Sequence, residues 1–156
     1  ALRGVPCVLH IVATVGQKEK SLLETAGIEY EITPGLDDAG IVQAYENCDL
    51  LLFASTLEGF GMPILEAQSV GRPVVTSNCS SMPEVAGDEG ACFVHPFDTR
   101  SIRAGVLRVI REPEYRERLV QRGFENAARF RADTVAEAYC RLYRACVEVS
   151  QRFTEA

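Results

Sequence analysis

The sequence predicts an α/β fold: an open, mainly parallel sheet flanked by helices and followed by a helical tail. Three observations carry this. Short apolar or alternating runs at 7–13, 28–33, 49–54, 73–76 and 91–94 alternate with stretches of helical periodicity. That alternation requires crossover connections, and crossovers give parallel, right-handed units. Breakers stand between the runs at Gly27, Pro34-Gly35 and Gly71, and after Asp98 the chain reads as helix to about residue 150. A chain of 156 residues with 47% hydrophobic and 24% charged side chains is one domain with a sizeable core.

Each element has a local reason. Cys7 to Ala13 is an apolar run, expected to be a buried strand. Gln17 to Ala26 is a helix with Leu22, Leu23 and Ala26 inward, stopped by Gly27. Ile28 to Thr33 alternates apolar with Glu, a half-buried strand. Asp37 or Asp38 caps a helix running to about Asn47. Asp49 to Ala54 is again apolar and strand-like, a helix follows to Val70-Gly71, and Pro73 to Thr76 is the next strand. Ser81-Met82-Pro83-Glu84 has the spacing of a capping box. Ala91 to Val94 is the last strand, and helical breaks are expected near Glu112-Pro113 and Phe130-Arg131.

The richest segment joins the third strand to the helix after it: Glu58-Gly59-Phe60-Gly61-Met62-Pro63-Ile64-Leu65-Glu66. Pro63 suits a first helical turn, where its missing N–H costs nothing. Gly59 and Gly61 allow positive φ and close approach of the backbone to a ligand. The carboxyl end of a strand is where open α/β sheets bind ligands, and the start of a helix receives anions. Glu58 lies in the turn and Glu66 about one helical turn inside. Both carboxylates can accept hydrogen bonds from vicinal hydroxyls. Phosphate on backbone N–H groups and hydroxyls on carboxylates is the layout a sugar nucleotide needs.

Other chemistries find little support. The six cysteines, Cys7, Cys48, Cys79, Cys92, Cys140 and Cys146, show no C-x-x-C and no Cys/His ligand spacing, so no metal site is expected and the thiols read as reduced. His10 and His95 have no ligand or triad partner at suitable spacing. Residues 1–99 carry a net charge of −10 and residues 100–156 a net of +4, with all twelve basic residues of the second part Arg. Those arginines alternate with glutamates, which marks a solvated helix face, and no aromatic-interleaved basic patch points to nucleic acid. No run of 18 apolar residues spans a membrane.

The segment 58–66, with Asp49 to Ser55 before it and Gly71-Arg72-Pro73-Val74-Val75, Ser80 to Val85, Gly87-Asp88 and Pro96-Phe97-Asp98 after it, resembles the donor-binding half of the group 1 glycosyltransferases. The resemblance runs from about residue 5 to about residue 145. It implies a Rossmann-like sheet forming one half of a GT-B enzyme, which transfers sugar with retention and without a metal; the absence of Asp-x-Asp agrees. No cofactor is implied beyond the donor, a UDP- or GDP-sugar. Glu58 would be the catalytic carboxylate, holding sugar hydroxyls near the reacting carbon. Gly59, Phe60, Gly61, Met62 and Ile64, with Gly16, would hold donor sugar and phosphates. Glu66 would hold the ribose, and Gly35 and Leu36 would border the base.

The family has an N-terminal acceptor domain and a strand-loop-helix unit that supplies an Arg and a Lys to the diphosphate. Neither is found here, and Arg3, Lys18 and Lys20 do not stand in the clamp positions. Residues 1–156 are therefore expected to be a donor-binding piece that begins at Ala1 without Met, weak in binding and inactive alone. A cytoplasmic location is implied, with contact at the inner membrane face compatible with it. A nucleotide-sugar epimerase on the same scaffold and a non-catalytic nucleotide-sugar binding module are the rival readings.

Overall fold

The computed structural model describes the backbone of residues 1–154 and the side chains of residues 1–147. In chain order the elements are β1 (Val8–Ile11), α1 (Gln17–Thr25), β2 (Glu29–Ile32), α2 (Asp38–Asn47), β3 (Leu51–Phe53), α3 (Met62–Ser69), β4 (Val74–Ser77), α4 (Met82–Ala86), β5 (Cys92–Val94), α5 (Thr99–Arg111), α6 (Pro113–Ala128) and α7 (Ala132–Thr154). The expected order of strands and helices is present; β4 has the length of its apolar run shifted by one residue, and the other strands are one to three residues shorter than theirs.

Every described strand pair is parallel, but the strands form two sheets, β1-β2 and β3-β4-β5. Val8 pairs with Glu29 and Ile11 with Ile32. Leu51 pairs with Val74, and Val75 with Cys92. Among the described residues nothing pairs with the second edge of β1 or the outer edge of β3.

The centre is β4, buried along its whole length. Alternate side chains of a strand leave opposite faces, and β4 uses both. Val74 joins Ile64, Leu65, Ala67, Met82, Val85, Ala86 and Ala91 in one core. Val75 joins Cys92, Val94, Val106, Val109 and Leu119 in the other. Gly105 lets α5 lie close, since a Cβ there would sit 2.5 Å from Val94 Cγ1. The polar end of β4 is satisfied sideways: Thr76 Oγ1 donates to the Phe53 carbonyl and Ser77 Oγ to that of Ser55.

The β1-β2 half differs from expectation. The Cys7–Ala13 run is not buried: Val8 is 50% exposed. Leu22, expected inward on α1, is 63% exposed. β1 has one strand neighbour among the described residues and buries only its Leu9 and Ile11 face, in part. Asp37 is the cap of α2, its side chain accepting from Gly40 N at 2.8 Å. The expected helical breaks fall at Glu112-Pro113 and at 129–131. All six cysteines are free.

One buried polar knot fixes α3, α4 and α6 together. Gln68 Nε2 donates to the carbonyls of Ala86 and Gly90, both at 3.0 Å. Asn126 Nδ2 donates to Gln68 Oε1 at 2.8 Å and to the Val85 carbonyl at 2.7 Å. Gly90 makes room for it, because a Cβ there would strike the Ala86 carbonyl. At its other end α3 finishes in a Schellman motif: Gly71 (φ +72°) donates to Gln68 O and Arg72 to Ala67 O. Asn126→Ala strands the Gln68 and Val85 carbonyl oxygens. It is expected to cost about 2–3 kcal/mol in urea unfolding. A loss below about 0.5 kcal/mol would mean the knot is solvated rather than sealed.

Candidate functional site

Residues 54–61 leave the carboxyl end of β3 and turn into α3. Gly61 is the N-cap at φ +107°, with no side chain to offer the first turn, and Pro63 follows in that turn. Ile64 anchors the turn from below. It is 0% exposed and its N–H bonds to Gly61 O at 3.0 Å. The side chain of Ile64, expected at the donor, thus lies in the core, and its N–H is taken within the turn. Phe60 and Met62 stand exposed at the mouth, at 43% and 53%. The Phe60 ring meets Phe130 edge-on with centroids 5.9 Å apart, tying the turn to the connection between α6 and α7.

The β4–α4 loop stitches this turn in place. Ser80, held at φ +55°, donates from Oγ to Glu58 O at 3.0 Å and accepts from Glu58 N at 3.3 Å. Ser81 Oγ reaches Phe60 O at 2.7 Å and Glu58 O at 3.2 Å. Cys79 Sγ lies 3.6 Å from the Thr56 carbonyl. The expected capping box is thereby corrected. Ser81 is the N-cap residue of α4, but its backbone is helical (φ −78°, ψ −14°) and its side chain caps nothing. The hydroxyl is spent on the neighbouring turn instead.

The consequence is an asymmetry in the turn's backbone. Carbonyls of Thr56, Glu58 and Phe60 are used by the β4–α4 loop. The N–H groups of Gly59, Phe60, Gly61 and Met62 donate to nothing among the described residues. Consecutive free N–H groups at the start of a helix form a concavity for anions.

Glu66 lies one turn along α3 and accepts from Tyr45 of α2, OH to Oε2 at 2.9 Å. Burial first, then that hydrogen bond and the Glu66 charge, push the Tyr45 phenol well above its ordinary range. Gly35, at φ +68°, and Leu36 form the turn before α2, and Leu36 packs back within 3.0 Å of where a Gly40 Cβ would lie. Gly16 is the N-cap of α1, and the Glu19 carboxylate folds over it, 2.6 Å from the place of a Cβ. So Glu58 to Glu66 share one turn and helix, while Gly16, Gly35 and Leu36 stand on loops of the β1-β2 half; α2 joins the two through Tyr45. Lys18 and Lys20 lie on α1, and Arg3 gives its carbonyl to Arg103. No group of three His, Cys, Asp or Glu among the described residues is placed to hold a metal. Reasoning from sequence assigned no site role to Ser80, Ser81 or Tyr45; Ser81 was read as a helix cap, and both serines stood only within the segment that carries the family resemblance.

The family model described as glycosyl transferases group 1 matches residues 5–126, more than half of the chain. The chain belongs to the group 1 glycosyl transferases. The chain is 40% identical over 93 residues to the O-antigen chain mannosyltransferase B of Escherichia coli, covering 60% of this chain and 24% of that one. Among solved structures, sucrose-phosphate synthase from Thermosynechococcus elongatus superimposes with a TM-score of 0.79 at 18% identity, over 95% of this chain and 41% of that one. Anabaena HepE in complex with UDP and glucose does so at 0.74 and 20%, over 88% of this chain and 40% of that one. The fold is that of one half of a GT-B glycosyltransferase. The chain spans between 14% and 36% of the length of five curated relatives it matches.

Ser81 offers a direct test of its two roles. Ser81→Ala removes both donations and is expected to lower stability by about 1 kcal/mol. Ser81→Asp keeps a good capping acceptor but sets a carboxylate against two carbonyls. It is expected to be at least as harmful in urea unfolding; an aspartate variant as stable as the parent would restore the capping role.

Proposed function

We propose that this chain is the donor-binding half of a retaining glycosyltransferase that moves a hexosyl group from a nucleoside diphosphate sugar to an acceptor hydroxyl. Mannosyl is the first candidate, from the name of the 40%-identical relative. The observation that carries the reading is the row of free N–H groups from Gly59 to Met62, left over when the serines take the carbonyls. These donors suit the donor phosphates and the charge that gathers on the leaving diphosphate. Glu58, with its backbone held at both N and O, is the catalytic carboxylate beside the sugar hydroxyls. Glu66 takes the ribose diol, and Gly35 and Leu36 border the base. Gly16 faces the donor only if Glu19 swings aside. No metal or cofactor takes part, and the enzyme works in the cytoplasm, where nucleotide sugars are substrates.

The acceptor site and the basic clamp for the diphosphate belong to a further part of the enzyme. Three features support this. Among the described residues one edge of β1 and one edge of β3 are unpaired, and a doubly wound sheet of order 3-2-1-4-5-6 has one more strand than the five seen here. Val135, Tyr139, Leu142, Tyr143 and Val147 of α7 make an exposed apolar stripe. The relatives are several times longer. No described helix is long and apolar enough to cross a membrane.

In the complete enzyme, Glu58→Gln should lower kcat by about ten-fold to a thousand-fold, roughly 1.4–4 kcal/mol, because a carboxylate favours positive charge growing on the sugar. Glu66→Gln should raise KM for the donor with little change in kcat, since ribose is held alike in ground and transition states. Full kcat in the Glu58 variant would remove it from the site.

The 156-residue chain alone should bind UDP or GDP no tighter than high micromolar and transfer no sugar. Each absent charge-assisted contact is worth about 1.5–3 kcal/mol. Nanomolar binding in calorimetry, or turnover, would sink the two-part reading.

A further inference from the structure

Tyr45 stands outside the Glu58–Glu66 segment, yet it makes the one hydrogen bond that the Glu66 carboxylate has among the described residues. Its ring is half-buried and packed on the core that holds Ile64, Leu65 and Ala67. The aim of its hydroxyl is therefore set by packing, not by the hydrogen bond. Glu66 Oε2 is held at 2.9 Å, and Oε1 takes no hydrogen bond from any described residue. A carboxylate has roughly four acceptor directions, and one held oxygen leaves the other oriented for a hydroxyl. Tyr45 also lies at the far end of the helix that begins just after Gly35 and Leu36.

We propose that Tyr45 is a positioning residue for the nucleotide ribose: by holding Oε2 of Glu66 it presents Oε1 to the ribose hydroxyls and ties that contact to the helix bordering the base. The proposal rests on Glu66 as the ribose contact. An unpinned glutamate samples several rotamers, and a ligand that selects one of them binds more weakly by the fraction of time it is populated. The phenol stays a donor through the neutral range, because burial and the adjacent carboxylate both disfavour its ionised form. Among the described residues no second side chain holds the Glu66 carboxylate; Arg72 turns its Nη2 to the Glu46 carbonyl at 2.9 Å.

The test compares UDP and GDP with their 2′-deoxy and 3′-deoxy forms, by ligand-detected NMR on the parent protein, Tyr45→Phe, Glu66→Gln and the double variant. The phenylalanine keeps the ring and its packing, and near-ultraviolet circular dichroism checks that it does. The parent is expected to prefer one ribo form over its deoxy partner by about ten-fold, the worth of one good hydrogen bond. Tyr45→Phe should lose about three- to ten-fold in affinity for the ribo form and nothing for the deoxy form. The double variant should be no worse than Glu66→Gln alone, because the tyrosine acts only through the glutamate. In turnover by the complete enzyme, Tyr45→Phe should raise donor KM and leave kcat unchanged.

Equal weakening of ribo and deoxy forms would make Tyr45 a packing residue and overturn the proposal. So would an intact ribo preference in Tyr45→Phe. If the parent and Glu66→Gln both bind ribo and deoxy forms equally, the ribose reading of Glu66 falls and the proposal with it. That result is distinguishable because it appears without Tyr45 being changed.

Discussion

The placement of α3 is the constraint on which the rest of the structure depends. This eight-residue helix is too short to be stable by itself. It exists because it is held at every point. Ile64, Leu65 and Ala67 press it onto β4 from one side. Gln68 locks its middle to α4 and α6 through Asn126. Gly71 closes its end. Only its first turn and the preceding loop are left with free donors, and those point the function.

A rigid first turn matters for electrostatic reasons. Backbone dipoles stabilise a developing charge only if they are already oriented, since reorienting them would consume the gain. The serines of the β4–α4 loop supply that order without charge. They occupy the carbonyls of Glu58 and Phe60, which would otherwise repel a phosphate, and leave the N–H groups unspent. Ser80 accepts a left-handed backbone, φ +55°, to reach Glu58 on both sides. A non-glycine residue in that region carries strain, and two hydrogen bonds offset it.

The two halves of the molecule are unequal. β3-β4-β5 is wrapped by α3, α5 and α6 and contains both cores. The β1-β2 pair has alternating half-buried and exposed residues and an open edge. Parallel strands are most stable when covered on both faces, and β1 and β2 each bury only one face in part. Tyr45 is one of its few tethers to the rest.

Much of this was legible in the sequence. Period-two and apolar runs marked every strand, Asp37 and Asp98 marked helix starts, and Pro113 marked a break, because those signals act within a few residues. The Glu58–Glu66 segment announced a turn and helix for the same reason: glycines and proline restrict the backbone wherever they stand. Burial was less legible. Cys7–Ala13 and Leu22 are apolar, but apolar residues are buried only where something covers them. Ile64 shows the reverse case, a motif residue that the core claims. Ser81 was misread because its spacing to Glu84 fits a cap, while its hydroxyl finds better acceptors 21 and 23 residues away. Tyr45 gave no local sign at all. The sequence alone determined the order of elements and the turn that leads from β3 into α3. The tertiary structure decided which hydroxyls hold that turn and which carboxylate oxygen is pinned, because contacts between residues about twenty apart depend on how strands and helices stack.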